Sequence, residues 1–392
     1  MVGAQEGSIP QEDRTEITVS DESGVIAAVE RNHTIDILKG IAILLVVLGH
    51  TRFAGTNYIY LFHMAVFFMA SGYFYKDKYS DSLKSLWSAL FKRIRSLYVP
   101  YLVWNTVFTL LNNILIKLNI YTSDENVRSY LDESLVSIHN NMSLKEMIKN
   151  IAKGFLFAGR TELGGAFWFL RVLFYISVCY LAIDFILKRF IKKRNALLIC
   201  QGMISLVFLI VGFLMGLKNI NTFAIDKLFS CYCLYYIGML LSETGPGIFD
   251  RTPVCAIIVI VCFAALFYMS KAGTVSLGDN DYVNPIFMLA ASGLGWFMTY
   301  GISVIISKAD LLKAFFSLLG KNSMIIVIFH FLCFKPVNML VASVKGWPIQ
   351  TIAGFPVSCN TGFWWILYTA VSTALCLLIA LIWNRLKKIA AK

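Results

Sequence analysis

The stretch TIDILKGIAILLVVLGHTR, residues 34–52, decides what kind of molecule this is. It is long and apolar enough to cross a bilayer, which takes about 20 residues of helix. Yet it carries Asp36, Lys39 and His50. At about 100° and 1.5 Å per residue, the step from Lys39 to His50 is roughly three turns plus 20°, or about 16 Å of rise. Asp36 falls within about 40° of His50 by the same arithmetic. One polar stripe therefore runs along an otherwise apolar helix. Ionisable groups inside a membrane are costly, and their usual reason is function.

The rest of the chain agrees with a membrane setting. Of 392 residues, 58% are hydrophobic and only 15% are charged, against about 25% charged in a soluble domain. A mean hydropathy of +0.68 is more apolar surface than a soluble core can use. Ten apolar runs follow one another, at about 35–53, 57–75, 97–118, 165–187, 196–217, 223–242, 253–270, 285–307, 317–341 and 361–384. The expected fold is an all-α polytopic bundle of about ten helices. Residues 1–34 are polar and acidic and read as a disordered cytoplasmic tail, and no cleavable signal peptide is visible.

The net charge of +12 would suggest nucleic acid in a soluble protein. Here the basic residues sit between apolar runs, as membrane topology demands. Lys76, Lys78, Lys84, Lys92, Arg93 and Arg95 share one side with Lys188–Arg194, Lys308, Lys313 and Arg385–Lys392 if both termini are cytoplasmic. The segment 119–164 is then a long extracytoplasmic loop. Within it, 143–155 has helical apolar spacing and reads as an amphipathic helix lying on the outer membrane face. The nine cysteines form no CxxC pair, so neither a disulfide framework nor a zinc site is indicated.

Other polar groups interrupt the runs. YIYLFHMAVFFMASGYFY, 58–75, carries His63, and MIIVIFHFLCF, 324–334, carries His330 about two-thirds of the way out. Both fall near the expected depth of His50. No carboxylate accompanies these histidines, so no metal is expected. GGAFWFLRVLFY, 164–175, buries Arg171, which must find Glu162, a structural tie or a substrate group. FKRIRSLYVPY, 91–101, crowds Lys92, Arg93 and Arg95 at a helix start, a setting suited to phosphates and equally to plain positive-inside topology.

Taken together, these phrases resemble the acyltransferase-3 family of membrane O-acyltransferases. Lys39 and His50 match its first-helix signature, within DILKGIAILLVVLGH, 36–50. FHMAVFFMASGYFY, 62–75, matches its second-helix phrase, with Ala65 where proline is usual. Lys92 and Arg95, followed by Pro100-Tyr101, stand where the family carries two arginines.

The resemblance implies transfer of an acyl group, acetyl above all, from cytoplasmic acetyl-CoA to a hydroxyl of an extracytoplasmic or lipid-linked sugar. His50 would be the general base. Asp36 would hold Lys39, while Lys39, Lys92, Arg93 and Arg95 would hold the donor. His63, Arg171, Glu162 and His330 would bind the acceptor, with His63, Arg171 and His330 orienting it or stabilising the oxyanion. The expected location is a bacterial inner membrane, with lipid, acetyl-CoA and a glycan as partners, no nucleic acid, and a homo-oligomer left open. The rival reading is a transporter or flippase of a glycan intermediate or small solute, which buried charges fit equally well; no internal repeat supports it.

Overall fold

The computed structural model describes residues 33–221, 223–244 and 252–390. Most of the expected N-terminal tail thus lies outside the described residues. The chain forms α1 (His33–His50), α2 (Thr56–Tyr60), α3 (His63–Tyr73), α4 (Leu83–Arg93), α5 (Val99–Lys117), α6 (Leu144–Phe155), α7 (Phe167–Phe190), α8 (Arg194–Leu217), α9 (Ile225–Thr244) and α10 (Thr252–Ala272). A two-stranded hairpin, β1 (Val275–Ser276) with β2 (Asp281–Tyr282), precedes α11 (Pro285–Ile306), α12 (Asp310–Lys321), α13 (Ser323–Lys345) and α14 (Trp364–Ala390). The protein is an all-α polytopic bundle.

Eight of the ten apolar runs form helices long and apolar enough to cross a membrane. The other two correspond to α2–α3 and to α9, and both are sheltered by protein. Seven of the eleven residues from His63 to Tyr73 are buried besides His63 itself, from Ala65 to Ala70 and at Gly72. The α9 helix buries Tyr232 and Tyr235. Its crossing with α3 is so close that a Cβ at Gly72 would run into the carbonyl of Tyr235, and one at Gly238 into that of Met69. Small residues permit such backbone approach. The outer helices instead expose apolar faces: Ile199, Leu206 and Ile210 on α8, and Ile257, Ile260 and Phe263 on α10. Lipid tails suit these faces, since nothing hydrophobic need be hidden from hydrocarbon.

Three boundaries differ from the sequence reading. The 57–75 run breaks at Phe62, whose φ of −144° and ψ of −24° leave the helical region. The 97–118 run begins earlier, because α4, a π-turn at Ile94–Tyr98 and α5 form one rod from Leu83 to Lys117. Pro100 has no N–H for the carbonyl of Ser96, and the wider turn just before it absorbs the mismatch. The 317–341 run splits at Asn322 into α12 and α13. The α12 helix crosses α1 closely: a Cβ at Gly40 would strike the Phe316 carbonyl, and one at Gly320 the carbonyl of Asp36.

The α6 helix also departs from expectation. It does not lie flat on a face but runs antiparallel along α5. Asn113 donates to the Met142 carbonyl at 2.8 Å, Asn150 to Thr109 Oγ1 at 2.8 Å, and Tyr98 to the Phe155 carbonyl at 3.0 Å. The chain then turns back through Phe157, whose φ of 55° is left-handed. Amphipathic spacing reveals that one face is apolar, but α5 meets α6 through these polar bonds while Leu144, Ile148 and Phe155 stay exposed. The returning segment 156–166 is irregular, which membrane depth tolerates only where backbone is buried in protein or lines a cavity.

Candidate active site

His50 ends α1. Thr51 turns its hydroxyl onto the Leu48 carbonyl at 2.7 Å, and Arg52 takes a left-handed φ of 55° that stops the helix. The Arg52 guanidinium reaches Ser134 Oγ at 2.8 Å and so ties this corner to the 119–164 segment. The His50 ring stacks on His330 with centroids 5.2 Å apart and meets the edge of Phe331 at 4.8 Å. His330 lies nearer the start of α13 than its place in the 317–341 run suggests. It still reaches His50, because α13 starts beside α1 at the α12 crossing and climbs with it.

The tautomer of His330 is legible. Its Nδ1 lies 2.8 Å from the Ile326 carbonyl, so Nδ1 must carry the proton and donate it. In the neutral ring Nε2 then presents a lone pair, and this atom is buried with no hydrogen-bond partner. His63 is set the same way: its Nδ1–H donates at 2.9 Å to the Ile59 carbonyl, which also accepts from the Phe62 N–H at 3.2 Å. Its ring packs on Tyr60 at 5.0 Å. Among the described residues, no three His, Cys, Asp or Glu side chains converge as metal ligands.

A pocket of about 20 Å³ opens at His50, walled by Val46, Phe67, Trp168 and Val327 among others. Trp168 is shared with a cleft of about 540 Å³ that includes Phe157, Arg160, Thr161, Arg171, Asn221 and Lys227 in its wall. A third hollow of about 340 Å³ shares Arg160 and Thr161 with that cleft and adds Tyr121, His139 and Glu162. His50 thus lines a small pocket that shares its Trp168 wall with the larger cleft.

The other expected acceptor residues divide. Arg171 donates to the Phe157 carbonyl at 2.8 Å and lines the cleft, while its Nε is buried without a partner. It does not pair with Glu162. That carboxylate instead meets His139 Nε2 at 2.8 Å, with the His139 ring stacked on Tyr121 at 4.4 Å. Pairing depended on where 156–166 folds back, which spacing along the chain does not encode.

The expected donor residues lie at the opposite end. Lys39 Nζ sits 4.0 Å from Asp36 Oδ1 and over the Phe74 ring at 5.6 Å. Lys92 lies over Tyr79 at 5.9 Å, Arg93 is half-buried, and Arg95 is exposed. Lys39 and Lys92 thereby flank one short segment, Phe74–Tyr79, that follows α3. Asp36 stands fourteen positions from His50 on α1, about 21 Å along the axis. It can position Lys39 but cannot touch chemistry at His50.

Sequence reasoning misses Arg160, Asp184, Asp226, Lys227 and Lys335. All but Arg160 carry the signal already used for Lys39 and Arg171, a charge inside an apolar run. Asp184 accepts from Tyr75 at 2.6 Å and also from Ser80 and Gln201, and Lys188 lies 3.4 Å away. Lys335 is buried against the carbonyls of Ala353 and Gly354, both at 3.1 Å, and pegs the 346–363 segment to α13. These two satisfy their neighbours and read as structural ties.

Comparison with curated proteins and with solved structures gave no match. The family model described as an acyltransferase domain, acyltransferase type 3, does match, over residues 32–382. That span takes in α1 with Lys39 and His50, the basic Lys92–Arg95 segment, and α13 with His330. The chain belongs to the acyltransferase-3 family and is a membrane acyltransferase.

Proposed function

We propose that the protein moves an acetyl group from acetyl-CoA, bound at the Lys39 end, to a sugar hydroxyl held at the His50 end. The observation that carries this is the stacking of His50 on His330 beside a pocket that shares its Trp168 wall with a larger cleft, with a basic cluster at the far end of the same helix. With both termini cytoplasmic, the Lys39 end faces the cytoplasm, where acetyl-CoA resides, and the His50 cavities open outward. Lys39, Lys92, Arg93 and Arg95 supply charge for the donor's phosphates. Lysine at position 92 gives a point charge rather than a two-pronged contact.

His50 acts as the general base. An imidazole, with an ordinary pKa of about 6.5, is unprotonated in a large fraction of molecules at neutral pH. It takes the hydroxyl proton as the sugar oxygen attacks the thioester carbonyl. The tetrahedral intermediate collapses with breakage of the C–S bond, and His50 returns the proton to the CoA sulfur. The products are an O-acetyl ester and free CoA. His330 Nε2, unprotonated and unpartnered, accepts a hydrogen bond from a neighbouring hydroxyl and so fixes the sugar's orientation.

The test uses sealed proteoliposomes with radiolabelled acetyl-CoA outside and a hyaluronan tetrasaccharide or N-acetylglucosamine 1-phosphate inside. In the fraction inserted with the basic end outward, label is expected on the enclosed saccharide. Label that reaches saccharide only when donor and acceptor share one compartment contradicts transfer across the bundle.

A further inference from the structure

The 540 Å³ cleft has a sign. Arg160, Arg171 and Lys227 all line it, and none of its lining residues is Asp or Glu. Asp226 holds Lys227 at 3.0 Å, Glu162 holds His139 at 2.8 Å, and neither arginine makes an ion pair among the described residues. Arg160 is exposed, and its guanidinium makes no ion pair among the described residues. Arg171 spends one N–H on the Phe157 carbonyl, and its Nε–H is buried with no acceptor. Thr161 Oγ1, in the same wall, is buried and unpartnered as well. Buried polar atoms are nearly always satisfied, and orphans gathered around one cavity mark a place where a ligand completes them.

The wall also has the shape for a saccharide. Trp168 forms the shared boundary with the His50 pocket and offers a flat ring. Gly159, Gly164, Gly165 and Gly278 bring backbone to the surface, and a Cβ at Gly278 would press on the Trp168 indole at 3.3 Å. A neutral sugar would leave the like charges of Arg160 and Arg171 lining one cleft with no carboxylate among its lining residues. An anion beside the sugar hydroxyls removes that repulsion and takes charge-assisted hydrogen bonds from Arg171 Nε and Arg160.

We infer that the acceptor is an acidic saccharide, bearing a carboxylate or phosphate that the Arg160–Arg171–Lys227 cleft grips while a hydroxyl of the same molecule reaches His50. This rests on the acyl-transfer reading of the site and names the chemistry of its acceptor. Arg171 and Arg160 hold the anion, and Lys227, steadied by Asp226, adds long-range attraction. Arg171 serves a second purpose, because its bond to the left-handed Phe157 keeps the returning segment in place.

The inference is tested by saccharide binding to the purified full chain in detergent, measured by calorimetry. Binding is read without any acyl transfer, so a failure here is distinct from failure of the catalytic reading. Three probes suffice: hyaluronan tetrasaccharide for carboxylate, N-acetylglucosamine 1-phosphate for phosphate, and chitin tetrasaccharide as the neutral counterpart. At least one anionic probe is expected to bind tenfold or more tighter than the neutral one, and which of the two does so identifies the anion. Arg160→Gln, at an exposed position that the fold does not depend on, should weaken the anionic probe roughly tenfold, the order expected for one lost charge-assisted hydrogen bond. It should leave the chitin tetrasaccharide unaffected. Equal affinity for charged and neutral probes, or no binding of any probe by the folded protein, overturns the inference.

Discussion

His50→Ala is expected to lower acetyl transfer by roughly 100- to 10,000-fold, the range that a positioned general base contributes. The loss corresponds to about 3–5 kcal/mol of transition-state stabilisation. It should appear in kcat, since the base acts as the hydroxyl attacks. Acetyl-CoA affinity should change little, because the proposed donor site lies at the opposite end of α1. The side chain is only partly buried and its ring touches His330 and Phe331 without a hydrogen bond to either, so its removal leaves no buried polar partner stranded. Melting temperature measured beside the transfer rate separates chemistry from folding. A variant that melts normally and transfers at the wild-type rate would remove His50 from the mechanism.

Gly40→Val should produce the largest loss of stability. The Cβ it adds meets the Phe316 backbone carbonyl, and the opposing Gly320 is just as tightly placed against Asp36. A flexible side chain could move aside, but a helix backbone cannot without shifting the whole of α12. Overpacking in a close-packed interior costs about 1–3 kcal/mol and more where backbone must move. The upper end, about 3 kcal/mol or beyond, is expected here. Lys39 is the neighbouring residue, so any folded fraction should also bind acetyl-CoA more weakly. Thermal unfolding in detergent reads the first effect and donor titration the second. A melt indistinguishable from wild type would show that α1 and α12 do not meet as described.

Much of this architecture is legible in the sequence, for identifiable reasons. Apolar run length reports a spanning helix directly, and eight of the ten runs form helices long and apolar enough to cross a membrane. The stripe of Asp36, Lys39 and His50 follows from helix periodicity alone. Helices surrounded by protein are harder: α3 and α9 need neither full length nor full hydrophobicity, because α9 covers α3 and other helices cover both. The break at Phe62 has no proline or glycine to announce it, whereas the split at Asn322 lies in Gly320-Lys321-Asn322-Ser323, a stop-and-start composition that run length alone passes over. The path of α6 and the partners of Arg171 and Glu162 are tertiary facts. Spacing gives an apolar face to α6 without saying that its polar groups bond along α5. The cationic cleft is a tertiary fact too, since Arg160, Arg171 and Lys227 come from separate segments that only the returning loop brings together.

The account turns on a division of labour along α1, with the donor held at the Lys39 end and chemistry done at His50. Acetyl-CoA binding to the purified protein tests this most directly, measured by calorimetry for wild type, for Lys92→Ala with Arg95→Ala, and for His50→Ala. The predicted result is binding by the wild type, at least tenfold weaker binding by the double variant, and retained binding by His50→Ala despite its loss of transfer. No detectable binding by folded wild-type protein would contradict the account.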